Sequence, residues 1–295
     1  MRHAIWALIF IVCGNLCAQT VTEEYRAERE RARFAKPHGF CFEGNLFCYA
    51  PYFDQQQKVR AYGVPGDGVS YRRDFDGVPF GAFLDLDLRA RFTWWDSLEF
   101  GYGFASLRAF KDFDEPTSFN GTTFPADVDG DYASDFHDFH LMYRRDFLYV
   151  GERSEFSLFF QVGIEWAIIS TEVSSDDVPT IKHRETVRFR EVLPWPAAGI
   201  GFNWNFGDHF NLRVDGYGSY INPMPTFQER DGKDVKQSLT SITGRALFEW
   251  RPWPFFSVLM GAQYRYLKMR LVAGFRQDNY LWWSVGPEIG VGFRF

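Results

Sequence analysis

The sequence predicts an all-β chain folded as an up-and-down antiparallel β-barrel that crosses a membrane with strands. Three observations carry this. Apolar and polar or small residues alternate with a period of two through most of the chain, the pattern of strands that keep one face apolar. The links between such segments are short and long by turns, as in a meander whose two ends differ. Tryptophans gather at both ends of the segments, where a ring can sit half in lipid and half among headgroups. Composition agrees: aromatic residues make up 19% of the 295 residues, with 33 Phe, 14 Tyr and 10 Trp, yet mean hydropathy is −0.28. Beyond the N-terminus no stretch approaches the ~20 apolar residues of a membrane helix. A net charge of −6 offers no basic face for nucleic acid.

The first element, "MRHAIWALIFIVCGNLCAQT", has Arg2, an apolar run over 4–13 and a small-residue exit at Ala18. This is the layout of a secretory signal, so residues 1–18 are expected to be removed after Ala18. Cys13 and Cys17 lack the preceding small residue that lipid attachment needs. A second unit is expected over 19–54. Thr20 and Glu23 can cap a charged helix that Pro37 ends. A turn at Glu43-Gly44-Asn45 would fold Cys41 toward Cys48. In an oxidising compartment that pairing predicts a disulfide, and two thiols with no nearby histidine pair predict no zinc site.

The barrel is expected over 55–295. Its first strand is placed around "QQKVRAYGV", and the next, from near Val78, reads "GAFLDLDLRARFTWW". There Leu84, Leu86, Leu88 and Ala90 oppose Asp85, Asp87, Arg89 and Arg91. "LEFGYGFASL" sets Phe100, Tyr102 and Phe104 against glycines. The pattern recurs in "FHLMYRRDFLYV", "EFSLFFQVGIEWAI", "AAGIGFNWNF", "HFNLRVDGYGSY", "SITGRALFEW", "FFSVLMGAQYRYL" and "EIGVGFRF". Adjacent Arg144 and Arg145 place one arginine on the lipid side, where a long side chain near the rim can snorkel to water.

Tight links fall at 95–97, 150–154, 207–208 and 251–254, and long polar ones at about 113–131, 173–185, 223–235 and 273–279. The tight end carries Trp94, Trp95, Trp250 and Trp253, and the far end Trp166, Trp195, Trp282 and Trp283. With the C-terminus at the tight end, topology requires an even number of strands. Ten strands fit, with eight or twelve as neighbouring solutions.

The chain closes on an alternation in which Ile289, Val291, Phe293 and Phe295 share one face, and Glu288, Gly290, Gly292 and Arg294 the other. The apolar face is expected to meet outer-membrane lipid. Glu288, Gly290, Phe293 and Phe295 resemble the C-terminal assembly signal of bacterial outer-membrane β-barrel proteins. The resemblance implies the bacterial outer membrane as location and the barrel-assembly machinery as a partner during biogenesis.

The inward parity collects Asp85, Asp87, Glu165, Asp215, Glu249 and Glu288 with Arg89, Arg91, Arg213, Arg245, Arg265 and Arg294. Buried charges persist when paired, so the lumen is expected to be filled by an ionic network, with Arg89, Arg91 and Arg213 neutralising Asp85, Asp87 and Asp215. The role expected is structural or surface interaction through long external loops. The alternative is a narrow, charge-lined solute channel. A further reading is hydrolysis at the rim. "DFHDFH" offers Asp135 and His137 to orient a base, beside Asp85 and Asp87, and these pairs resemble the acidic and Asp-His pairs of omptin proteases, also ten-stranded barrels. Asp85 and Asp87 fall inside the apolar band and Asp135 and His137 at its rim, so the pairs are not expected to meet. No enzyme activity is expected. "DVDGD", from Asp127 to Asp131, has carboxylates for a hard cation but lacks the bidentate Glu of a calcium loop. No metal or cofactor is expected.

Overall fold

A computed structural model describes residues 40–60, 67–72, 74–75, 83–93, 95–119, 122–150, 156–175, 177, 182–187, 194–206, 209–230, 233–274 and 276–295. The expected signal segment, the capped helix before Pro37 and Trp94 lie outside them. The first strands are β1 (Cys41–Tyr49), β2 (Tyr52–Arg60), β3 (Asp67–Ser70), β4 (Phe83–Arg91) and β5 (Asp96–Asp112). A small hairpin, β6 (Thr117–Phe119) and β7 (Thr122–Phe124), precedes β8 (Asp129–Val150), β9 (Phe156–Ser174) and β10 (Lys182–Val187). The chain ends with β11 (Trp195–Phe206), β12 (Phe210–Arg230), β13 (Lys233–Trp253), β14 (Phe256–Ala273) and β15 (Arg276–Arg294).

Pairing runs β1-β4-β5-β8-β9-β11-β12-β13-β14-β15, and β15 pairs back to β1 and β2. The sheet is therefore an antiparallel ring of about ten strands. β1 and β2 occupy one position. Tyr49 faces Glu288 and Tyr52 faces Val285, so the register is unchanged across Ala50-Pro51. Pro51, opposite Gly286, and Pro287, opposite Ala50, each lack the N–H a ladder needs, and the strand is interrupted there. At the seam, Phe295 N–H donates to Phe42 O at 2.8 Å, and Phe42 N–H donates to Phe295 O at 3.1 Å. The last residue is locked into the wall.

Three expectations change. The barrel wall begins at Cys41 and not at residue 55, so the first strand is β1 with β2. The alternation of Cys41, Glu43, Asn45, Phe47 and Tyr49 against Leu46 and Cys48 is itself a strand pattern. No disulfide joins Cys41 to Cys48. They pair with Arg91 and Leu84 along one extended strand, roughly 23 Å apart at ~3.3 Å per residue. The odd spacing also puts Cys41 inside, buried, and Cys48 outside, exposed. Finally, the links at 223–235 and 273–279 are not loops, because β12, β13, β14 and β15 run on into narrow hairpins.

Those long strands set the shape. β8 has 22 residues and β9 and β15 have 19 each, where ~9–11 suffice to cross a bilayer. The surplus stands beyond the membrane at the end away from the tight turns. Outward-facing Leu46, Leu84, Leu98, Val162, Ile164, Ile200, Ile242, Met260, Val285 and Ile289 are exposed and form the apolar band. From Trp283 to Phe293 the outward face of β15 runs roughly 33 Å along the strand, and a tilt of ~40° brings this to about 25 Å, the height of such a band.

Candidate functional site

Among the described residues, the lumen gathers the buried ionisable side chains, and it divides into two halves. Toward the tight turns it is ionic. Parity along β4 points Asp85, Asp87, Arg89 and Arg91 inward, all buried. Asp85 and Asp87 find their partners across the barrel, and Arg89 finds its own on the strands at either side. Arg245 donates to Asp87 at 2.5 Å and to Glu288 at 2.8 Å. Arg265 bridges Asp85 at 3.0 Å and Asp138 at 3.4 Å. Arg213 bonds Asp215 at 2.6 Å and reaches Glu99 at 3.4 Å, while Arg89 bonds Glu99 and lies 3.6 Å from Glu43. Nearer the turns, Arg294 pairs with Glu43, Arg251 with Glu249 at 2.5 Å, and Arg144 with Asp146 at 3.2 Å. Glu165 differs, accepting from Trp195 Nε1 at 2.9 Å and Ser241 Oγ at 2.8 Å.

The glycines of "FGYGF" make room for this network. A Cβ on Gly101 would lie 1.9 Å from the His140 ring that packs over it, and one on Gly103 would lie 2.7 Å from Asp85 Oδ1 and 2.8 Å from Arg265 Nη1.

Above the ions the lumen turns apolar. Trp282 stacks on Phe136 at 4.6 Å and on Phe53 at 5.8 Å, and Phe83 lies 5.4 Å from Phe53. Tyr71, Tyr132, Phe75 and Phe113 continue this cluster outward. Trp282 and Phe136 thus meet across the lumen.

No protein-family model matches this sequence, and no curated protein sequence aligns with it. Solved structures do. The outer membrane protease OmpT from Escherichia coli superposes with a TM-score of 0.52 at 9% identity, over 88% of this chain and 99% of that one. The transport unit of the autotransporter AIDA-I from Escherichia coli gives 0.39 at 10% identity, over 92% and 96%. OprG from Pseudomonas aeruginosa gives 0.36 at 12% identity, over 90% and 99%. The fold is that of the bacterial outer-membrane β-barrel. Its lipid-facing band and its girdles are those of a barrel that spans a membrane.

The girdles of this outer-membrane barrel differ from expectation in two members. Trp95, Trp250 and Trp253 are exposed at the tight-turn end, joined by Trp204 and Phe255. At the other edge Trp166 stacks on Phe139 at 5.2 Å, and Trp283 lies 5.5 Å from Tyr52. Trp195 and Trp282, however, are buried inside. Parity decides this: adjacent Trp282 and Trp283 must face opposite sides of one strand. Arg144 likewise points in and Arg145 out, beside Asp96 at 3.5 Å.

The rim constellation is not assembled. Asp135 and His137 sit on the outer face, Asp135 with Ser106 and Arg108 at 2.7 and 3.2 Å, and His137 with the Tyr102 hydroxyl at 2.9 Å. The wall separates them from Asp85 and Asp87. Asp138 and His140, from the second half of the same "DFH" repeat, face inward, with His140 3.8 Å from Glu99. Counting parity through the repeat is the signal that assigns them to the network, as it does for Glu99 and Glu43. In "DVDGD", Asp129 accepts from Ser175 Oγ at 2.7 Å and from Asp177 N–H at 2.9 Å. Its carboxylate serves a turn between β8 and the end of β9.

Proposed function

We propose that this barrel is a closed wall element whose work is structural or interactive, done by the part that stands above the membrane. The observation that supports this reading is the double filling of the lumen: the Trp282–Phe136–Phe53 stack lies over the cross-barrel ion network centred on Arg245. A small barrel of ~8 strands is filled by its own side chains, and open channels belong to ~16. The exterior surface offered to a partner is strand-built, from the extensions of β8, β9 and β12 to β15 and the β6–β7 hairpin. The test is a planar-bilayer recording on refolded protein, with no steady current expected. Single-channel steps whose ion selectivity changes in Arg89→Ala would favour the narrow channel.

We assign no catalysis. OmpT is a protease, but here Asp85 and Asp138 clamp Arg265, and Asp135 and His137 lie outside. Purified protein is expected not to cleave peptides or phospholipids. Turnover lost in Asp85→Ala or His140→Ala would reverse this assignment. The C-terminal residues Glu288, Gly290, Phe293 and Phe295 are further proposed to be read by the barrel-assembly machinery. Phe295→Ser should then deplete the heat-modifiable folded form in cells, and an undiminished amount would refute it.

A further inference from the structure

Six arginines converge at the tight-turn end of the lumen. A cavity of about 90 Å³ lies there, lined by Arg89, Arg91, Arg144, Arg213, Arg251 and Arg294, with Glu43 and Glu249 as its lining carboxylates. Behind the lining stand Glu99, Asp146 and Asp215, each already bonded to one of these arginines. Six guanidiniums thus crowd around a few carboxylates. The carboxylates are also shared: Asp146 serves Arg144 and, at 3.9 Å, Arg91, and Glu43 serves Arg294 and Arg89. Three buried donors have no hydrogen-bond partner among the described residues: Nε of Arg91, Nη1 of Arg144 and Nε of Arg294. The Arg144 side chain is 2% exposed, stacked at 3.4 Å over the Phe159 ring, so solvent does not satisfy it.

Unpaired buried donors on charged groups are costly. Guanidinium forks match carboxylate and phosphate oxygens. Lining asparagines Asn45, Asn205 and Asn211 add neutral amide donors. The volume far exceeds the roughly 10–15 Å³ one water needs, yet suits a small ion and not a nucleotide. We propose that this cavity is a binding site for one small tetrahedral oxyanion of the phosphate or sulfate type, entering from the tight-turn side of the membrane. The anion accepts from the orphaned arginine nitrogens.

The test uses the whole refolded chain in detergent, titrated with inorganic phosphate against chloride at equal ionic strength. Phosphate should raise the thermal midpoint in a saturable way that chloride does not reproduce, and sulfate should compete. Arg144→Gln should weaken phosphate at least tenfold, whereas Arg270→Gln on the outer wall should leave it unchanged. If Arg144→Gln does not fold, Asn45→Asp decides. It places a carboxylate in the cavity, so it should abolish the phosphate response without lowering the midpoint in chloride. Equal responses to phosphate and chloride in the wild type, or an undiminished phosphate response in Asn45→Asp, would overturn the site.

Discussion

The two halves of the lumen close the same bore by opposite physics. In the membrane-level half, Arg245, Arg265 and Arg213 hold carboxylates from strands across the barrel, and Arg89 holds Glu99 of the adjoining strand. Each contact is specific, because a buried charge without its partner is severely penalised. In the projecting half, Trp282, Phe136, Phe53 and Phe83 fill space by ring contact, where the driving force is non-directional burial. The ionic half thus fixes which strand faces which across the barrel. The aromatic half tolerates rearrangement but depends on volume. The wall is built for this division, since Gly101 and Gly103 thin it where the ions need room.

The sharpest way to break the comparison is Arg245→Ala. It strands Asp87 and Glu288 together, and a buried pair broken from one side costs about 3–5 kcal/mol. Urea unfolding of the folded barrel, followed by tryptophan fluorescence, should show a loss in that range. A loss below ~1 kcal/mol would mean that water screens these charges and that the two halves are not distinct. The paired change Asp85→Asn with Arg265→Gln should cost less than Arg265→Gln alone, because it leaves one carboxylate, Asp138, without its partner and not two.

Trp282→Ala comes next, near the lower end of the ~3–5 kcal/mol usual for a buried large aromatic. Unlike Arg245→Ala it should leave the membrane-level half intact. The same urea series should therefore show a lost packing contribution, with the ionic couplings unchanged. A drop in the Asp85–Arg265 coupling would join the halves into one unit.

Gly101→Ala is smaller still, about 1–3 kcal/mol of overpacking as His140 is pushed from its place. His140→Ala in the same chain should recover most of the loss, which a double-mutant cycle reads directly. Failure to recover would place the strain in the backbone and not in the ring. Smallest of all, oxidant or reductant should change the unfolding midpoint hardly at all, since Cys41 and Cys48 face opposite sides of β1. A redox-dependent shift in the monomer would refute that placement.

Parity made much of this legible in advance. Asp85, Asp87, Arg89, Arg91, Arg213, Asp215 and Glu288 are buried in the lumen, and a strand side chain has only two choices of face, of which each segment shows the apolar one. The same rule, carried through "DFHDFH" one residue at a time, puts Asp138 and His140 inside. Taking the Trp282-Trp283 pair as one unit is what misplaced Trp282, and reading Trp195 from its place at a segment end, without counting its face, misplaced it too. Reading Cys41 and Cys48 as a hairpin hid a strand whose alternation was present, because the turn signal at Glu43-Gly44-Asn45 is a local preference that pairing with β4 and β15 overrides.

The sequence by itself determined the periods, the ends and the faces: alternation, tight links, the apolar band and the closing strand are all local properties of the chain. Only the tertiary structure decided which acid meets which base. Arg213 does bond Asp215, its neighbour two residues on, but the partner of Asp87 is 158 residues away and that of Asp85 is 180. Those pairings depend on how far each strand slides along the next before the ring closes, and no local pattern encodes that sum. The same closure brings Arg91, Arg144 and Arg294 from separate strands to one cavity, and makes Phe295 a neighbour of Phe42.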